Sequence, residues 1–411
     1  MTLTLGERKK ILDKVSHFVE KKHFNPCLNG ADWPALLHSR TERILQANQP
    51  EGFEREMHEL VSQLKTSHTG FFHRSARNIP ARLAVNATVR RLAINGDEKW
   101  MFEDVHEGGA AYKAGVEPGD ILIGVDGAEL KPPTPLVFKM GESAKVTVRK
   151  KDGKEATIAF DVPSPKDKKH PVAHPRPVSF RRLENGIGFL KATMFPGAVG
   201  IDVAHDMDRA MAQLEACDRL IVDLRGNTGG GIGGLRLMSY LTPDKIPVGY
   251  SLTKRRAANG YRKEQLTRFE KIPDSKWMLP LLALRYAFGD KSIAVVTEGL
   301  GPKRFHGRIA MLVNQHSASA AEMVAGFAAE NKLARIVGTK TAGRLLTGSA
   351  FKVGHGYILG LPVAAYLTWQ GTMLEGKGLA PDIAVDLSYD ALKEGRDNQL
   401  GKAIEFVKSA T

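Results

Sequence analysis

Between residues 186 and 338, short apolar runs alternate with stretches of helical period. "GIGFLKATMF" reads as strand, "AVGIDVAHDMDRAMAQLEAC" as helix, "RLIVDLR" as buried strand and "GLRLMSYL" as helix. "KSIAVVTE" and "RIAMLVNQ" follow as strands, "SASAAEMVAGFAAEN" as helix and "ARIVGT" as strand. Strands that are apolar along their whole length need cover on both faces, and intervening helices supply it. The alternation predicts an α/β core with a largely parallel sheet and flanking helices.

The chain before this core has two other periods. Residues 1–78 read as a mostly helical segment: Ile11, Leu12, Val15, Phe18 and Val19 share one face, and Phe53, Met57, Leu60, Val61 and Leu64 another. From 79 to 163 the pattern becomes that of short strands, "KWMFEDV", "DILIGV", "AKVTVRK" and "EATIAFDV". Asp126-Gly127 and Asp152-Gly153 between such runs are hairpin signals. Residues 164–177, rich in proline and charge, read as a linker, which leaves 178–411 for the α/β domain.

Bulk properties narrow the function classes. Cys27 and Cys217 stand far apart with no Cys-x-x-Cys, so neither a disulfide framework nor a structural zinc site is implied. The first ten residues, "MTLTLGERKK", lack the apolar core of a signal peptide, which suggests a cytoplasmic protein. No apolar run reaches membrane-spanning length; "WMLPLLALRYAFG" comes nearest and contains Arg285. The formal net charge of +14 is scattered, with short clusters only at Lys254-Arg255-Arg256 and from Lys166 to Lys169. Without a nucleic-acid motif, that excess reads as a solvated basic surface rather than a nucleic-acid partner.

The chemistry concentrates where strands meet loops. In "LIVDLRGNTGGG", Leu220 to Gly231, a buried strand opens into glycines whose N–H groups can approach a ligand closely. An oxyanion hole is one reading; a flexible turn is another. A phosphate loop lacks its Gly-Lys-Ser/Thr ending. In "VNQHSASAAEMVAGF" an apolar strand stops at two serines, and a helix begins at once. That layout puts a hydroxyl at a helix N-terminus, where backbone N–H groups favour developing negative charge. His316 is near in sequence, but strand-to-turn backbone over so few residues rarely aims both side chains at one point.

Together with "VGTKTAGR", these two segments resemble the tail-specific, or C-terminal processing, serine peptidases. The match lies in Asp223-Leu-Arg-Gly-Asn-x-Gly-Gly and in Ser317-Ala-Ser-Ala-x-Glu322. The resemblance implies that Ser319 is the nucleophile, with Ser317 a polar residue at the strand end. It also implies an oxyanion hole from Ala320 N–H and either Gly229 or Gly230.

In the best-known branch of that family the base is a lysine 25 residues beyond the serine, and here 319 + 25 = 344 is Arg344. An arginine keeps its proton and has no lone pair to offer, so it cannot take that part. "LKTSHTGF" and "LEGKGLAPDI" instead resemble the tricorn-like branch. That branch implies His68 as general base, with Ser67 and Glu375 as its polar support. Histidine suits the task, because its ordinary pKa lies near neutrality.

"EGGAAYKAGVEPGDILIGVDGAEL" resembles a PDZ domain, which implies a small, mostly β fold that takes an extended peptide at a strand edge. The loop that usually receives a C-terminal carboxylate is glycine-rich, whereas "ARLAVNATV" has no glycine. The whole predicts a serine peptidase acting on peptide or protein substrates through an acyl-enzyme, without metal or cofactor, with a homo-oligomer as one arrangement compatible with the sequence. The rival readings are a ligand- or peptide-binding protein on the same fold, and a hydrolase of a non-peptide amide or ester. Coexistence of Ser319, His68 and Glu375 speaks for an enzyme.

Overall fold

A computed structural model describes residues 3–76, 78–164, 176–287 and 290–409. Most of the linker reading and the Lys166 to Lys169 cluster lie outside the described residues. The chain forms two compact units. One comprises Met1–Ala76, Asp244–Gly299 and Gly343–Gly378; the other comprises Arg77–Pro243, Leu300–Ala342 and Leu379–Thr411.

In the first unit, helices Leu5–Lys22 and Pro50–Ser62 carry the two expected apolar faces, with helix Trp33–Gln46 between them. Thr4 caps the first of them through a reciprocal pair with Glu7. Ile11, Val15, Val19, Phe53, Met57, Leu60 and Leu64 are buried in one core with Phe71, Tyr357 and Leu359. The segment is not helical throughout. After Leu64 the chain turns at Ser67-His68 and enters strand Gly70–His73, which pairs antiparallel with strand Tyr357–Thr368.

That long strand also pairs with Leu346–Gly354 and with Pro247–Thr253. Pro247–Thr253 pairs in turn with Ile293–Val296, also antiparallel. The "KSIAVVTE" strand therefore belongs to this mixed sheet and not to the parallel one. Periodicity reports that a strand exists but carries no information about its partner.

The second unit holds the predicted α/β sheet. Its order runs Val178–Arg182, Ile187–Ala192, Arg219–Asp223, Arg308–Val313, Arg335–Gly338, Ile383–Ala384. Only the first pairing is antiparallel. Helices Ile201–Gln213, Gly234–Tyr240 and Ala320–Glu330 are the predicted connections, and helix Asn398–Lys408 packs against Ile221, Ala310 and Leu312.

In the same unit, residues 87–161 form a sheet ordered Ala87–Ile94, Asp97–Val105, Ile121–Val125, Ser143–Arg149, Glu155–Asp161. Asp126-Gly127 and Asp152-Gly153 make the expected hairpin turns, each glycine with positive φ. "ARLAVNATV", where a carboxylate loop would stand, is instead the short helix Ala81–Ala84 leading into the edge strand. The α/β core, the small β domain and the N-terminal helices accord with the fold expected from sequence.

Candidate active site

Strand Arg308–Val313 ends at Val313, and helix Ala320–Glu330 begins at Ala320, leaving the six residues 314–319 for the turn. Ser319 closes that turn with φ +56° and ψ −120°, a backbone conformation that a side-chain-bearing residue rarely adopts. Such strain persists only where the surroundings over-determine it, and here they do. The fully buried Glu322 accepts the Ser319 N–H at 3.1 Å through one carboxylate oxygen. Its other oxygen accepts the Thr341 hydroxyl at 2.6 Å. Thr341 Oγ1 accepts the Leu379 N–H at 2.7 Å, so the turn is tied to two further segments of the unit.

The two serines separate cleanly. Ser317 is fully buried; its hydroxyl donates to the Leu224 carbonyl at 2.8 Å and accepts the Asn314 N–H at 3.0 Å. It is a strut of the turn. Ser319 is half-buried at the mouth of the helix. His316 turns away to the β domain, its Nε2 3.1 Å from a Glu103 carboxylate oxygen. That contact has the distance of an ion pair but not the alignment of a hydrogen bond. Burial opposes the imidazolium of His316, and the Glu103 and Asp104 carboxylates outweigh it, raising the pKa.

The glycine loop lies against the same turn. Asn227 organises it: its Nδ2 donates to the Ala192 carbonyl at 2.9 Å, and its Oδ1 accepts the Gly229 N–H at 2.8 Å. Its backbone carbonyl takes the Ala318 N–H at 2.9 Å. Of the two candidate glycines, Gly229 is therefore already committed as a donor.

Gly230 is bridged in parallel fashion to Phe195, through Phe195 N–H to Gly229 O and Gly231 N–H to Phe195 O. In such a bridge the middle residue's own N–H points away from the bridging strand. Neither it nor the Ala320 N–H meets an acceptor among the described residues. Both glycines are obligatory. A Cβ on Gly229 would lie 2.6 Å from Ser319 Cβ, and one on Gly230 would lie 2.1 Å from the Phe195 carbonyl oxygen.

Asp223 and Arg225 of the same motif have a structural part. Arg225 grips Asp223 through Nε at 3.0 Å and Nη2 at 2.9 Å, and reaches Asp397 and Gln399. Burial pushes the Asp223 carboxyl up, but Arg225 and Lys191 outweigh it and hold the group far below the usual carboxylate range.

In the other unit, Ser67, His68 and Glu375 form a continuous chain. Glu375 Oε1 accepts the Ser67 N–H at 2.8 Å, Oε2 accepts the Ser67 hydroxyl at 2.8 Å, and Ser67 Oγ lies 2.8 Å from His68 Nδ1. Because the hydroxyl proton goes to the carboxylate, Ser67 Oγ has only a lone pair for His68. Nδ1 must then carry the ring proton, which leaves the Nε2 lone pair open. This tautomer is assigned from the hydrogen-bond pattern.

His68 stands at φ +60° with its ring crowded by Gly348, where an added Cβ would come within 3.0 Å of Cδ2. The residue as a whole remains exposed. Partial removal of water from around the imidazole lowers the His68 pKa below that of a free imidazole; Glu375 opposes the effect and Arg344 adds to it. Arg344 thus acts electrostatically on the imidazole, a part that sequence reasoning left unassigned. Glu322, Asn227 and Asn314 were also missed as individual residues, although each lies inside a motif segment.

Comparison with known proteins fits this arrangement. Residues 186–385 match peptidase family S41, and residues 101–150 match a PDZ domain. A carboxyl-terminal-processing protease of Synechocystis sp. is 22% identical over 98% of this chain and 88% of its own length. A carboxy-terminal-processing protease of Bartonella bacilliformis is 27% identical over 71% of this chain and 60% of its own. Among solved structures, the photosystem II D1 C-terminal processing protease superposes with a TM-score of 0.59 at 17% identity, covering 98% of this chain and 97% of that one. The tricorn protease superposes at 0.51 and 16% identity, covering 97% of this chain but 36% of its own. At such identities the superpositions speak for the fold alone. The family resemblance read from the motifs is borne out: this chain is a serine-type peptidase of family S41 that carries a PDZ domain.

Proposed function

We propose that this protein hydrolyses peptide bonds with Ser319 as nucleophile and His68 as general base. In this reading Ser319 Oγ attacks the scissile carbonyl carbon while its proton passes to His68 Nε2. The carbonyl oxygen becomes negative and is held by the Gly230 and Ala320 N–H groups. The intermediate collapses to an acyl-enzyme, and the leaving amine takes the proton from Nε2. Water, deprotonated by the same nitrogen, then releases the acid and restores the serine. Glu375, acting through Ser67, keeps the ring in the productive tautomer and stabilises the imidazolium. The names of the relatives point to protein substrates cleaved near their carboxyl ends, with the PDZ domain as a site for the substrate chain.

The observation that carries the proposal is the strained backbone of Ser319 at a helix N-terminus beside two uncommitted N–H groups. Labelling with a fluorophosphonate, followed by peptide mapping, tests it. Wild type should take one label on Ser319, Ser319→Ala none, and His68→Ala far less. A folded wild-type protein that takes no label, or Ser319→Ala that still hydrolyses peptides, would sink the reading.

A further inference from the structure

The apolar stretch that came nearest to membrane length is a single turn, Lys276–Met278, followed by the helix Leu279–Ala287. A nine-residue helix spans ~13 Å, less than half a bilayer core, so it cannot cross. Leu279, Leu282 and Tyr286 turn inward, with the Tyr286 hydroxyl donating to the Arg268 carbonyl at 2.8 Å and its ring facing Phe269. Trp277, Leu281 and Leu284, at i, i+4 and i+7, turn outward and are 93%, 68% and 58% exposed, with Met278 at 42%. A stripe of large apolar side chains facing water marks a surface that something covers.

The surrounding charge indicates what. Residues 254–291 carry ten Lys or Arg against four Asp or Glu. Arg255, Arg256, Arg262, Arg268, Lys271, Lys276 and Lys291 among them are exposed. Arg268 lies on the strand under Tyr286, and Lys276 and Lys291 flank the two ends of the helix. A second copy of this chain would bring the same positive charge to the contact. An anionic lipid surface brings the opposite charge together with an apolar layer for the tryptophan and leucines.

We infer that the outward face of Trp277, Leu281 and Leu284 is a docking site for an anionic bilayer, on which the helix lies in the interfacial plane. The rim of Arg and Lys would meet lipid phosphates, while the indole seats at the headgroup level. Binding of this kind is peripheral and salt-sensitive.

Flotation of the full chain with vesicles tests it, because it reads binding and not turnover. Vesicles of equimolar phosphatidylglycerol and phosphatidylcholine should carry wild type, those of phosphatidylcholine alone should not, and high salt should release it. The triple variant Trp277→Ser, Leu281→Ser, Leu284→Ser should partition at least tenfold less, with its unfolding midpoint unchanged because all three side chains face water. Arg268→Glu with Lys291→Glu should lose binding while the apolar stripe stays intact. The inference is overturned if wild type does not float, or if the triple variant floats equally well. A wild-type dimer that the triple variant dissociates would also overturn it, by assigning the face to self-association.

Discussion

Asn314 donates through Nδ2 to Asp104 Oδ2 at 3.0 Å, joining the turn that ends in Ser319 to a PDZ strand 210 residues earlier. The same amide's Oδ1 accepts the Gly226 N–H at 3.1 Å and the His316 N–H at 3.0 Å. One buried side chain thus ties the glycine loop, the serine turn and the PDZ domain. Gln315 adds a parallel tie to Glu103 at 3.0 Å. The second strand of the PDZ domain thus buttresses the serine turn.

That relationship makes a charge-exchange prediction. Asn314→Asp keeps the shape but sets a second carboxylate against Asp104 and removes the donor. Burying like charges together should cost roughly 3 kcal/mol at neutral pH, less in acid where one carboxyl takes a proton. Adding Asp104→Asn restores one carboxylate and one amide and should recover most of the loss. Denaturant unfolding of the two single variants and the double variant checks this.

Glu322 holds the Ser319 backbone, and its removal should act on turnover before it acts on binding. Glu322→Ala leaves the Ser319 N–H and the Thr341 hydroxyl without their acceptor, relaxing the strained turn. The expected result is a fall in kcat of roughly 10-fold or more with KM little changed. Glu322→Gln, which keeps one acceptor oxygen, should lie between. Steady-state kinetics on a peptide substrate distinguishes the two parameters.

The oxyanion assignment predicts that Gly230→Ala is disabling. Its Cβ collides with the Phe195 carbonyl, so the N–H must move from where Ala320 could share a substrate oxygen with it. Loss of one such donor typically lowers kcat by about 100-fold to 1,000-fold. Far-ultraviolet circular dichroism should stay native while kcat falls; unchanged kcat would remove Gly230 from the hole.

On the proposed mechanism the lowered His68 pKa sets the acid limb of the pH profile. A general base works neutral, and the neutral fraction rises as pH passes through its pKa. With that pKa lowered from 6.5, kcat/KM should reach half its plateau below pH 6.5. Arg344→Gln removes a positive neighbour and should move the limb to higher pH. Glu375→Gln removes a negative one and should move it lower, with reduced activity. Profiles of the three proteins across the acid range are the measurement.

Acid should also loosen the PDZ side of this unit. Burial and Lys191 lower His106 from 6.5 to about 4, so the unfolded chain binds the proton first. Stability on this account is fully present above pH 6.5 and falls as pH drops toward 4, by a contribution on the order of 3 kcal/mol. In His106→Gln the slope of unfolding free energy against pH over that window should flatten.

The sequence by itself determined the elements and the chemistry. The strand-turn-helix at Ser319, the glycine loop, the PDZ hairpins and the apolar faces of the N-terminal helices are local patterns, set by side-chain period and turn residues. The Arg344 position excluded a lysine base for a reason that needs no coordinates, since a guanidinium cannot accept a proton. Pairing was not legible in the same way. Strand Ile293–Val296 reads like a strand of the parallel core, yet it lies in the mixed sheet of the other unit, antiparallel to Pro247–Thr253 and parallel to Thr267–Phe269, because a strand's apolar run records burial and not its neighbour. The donation of the Ser317 hydroxyl to the Leu224 carbonyl, the commitment of the Gly229 N–H to Asn227, and the proton order along Glu375, Ser67 and His68 all depend on which lone pair meets which hydrogen. Those are distances of about 3 Å between residues up to 308 positions apart, and only the folded chain fixes them.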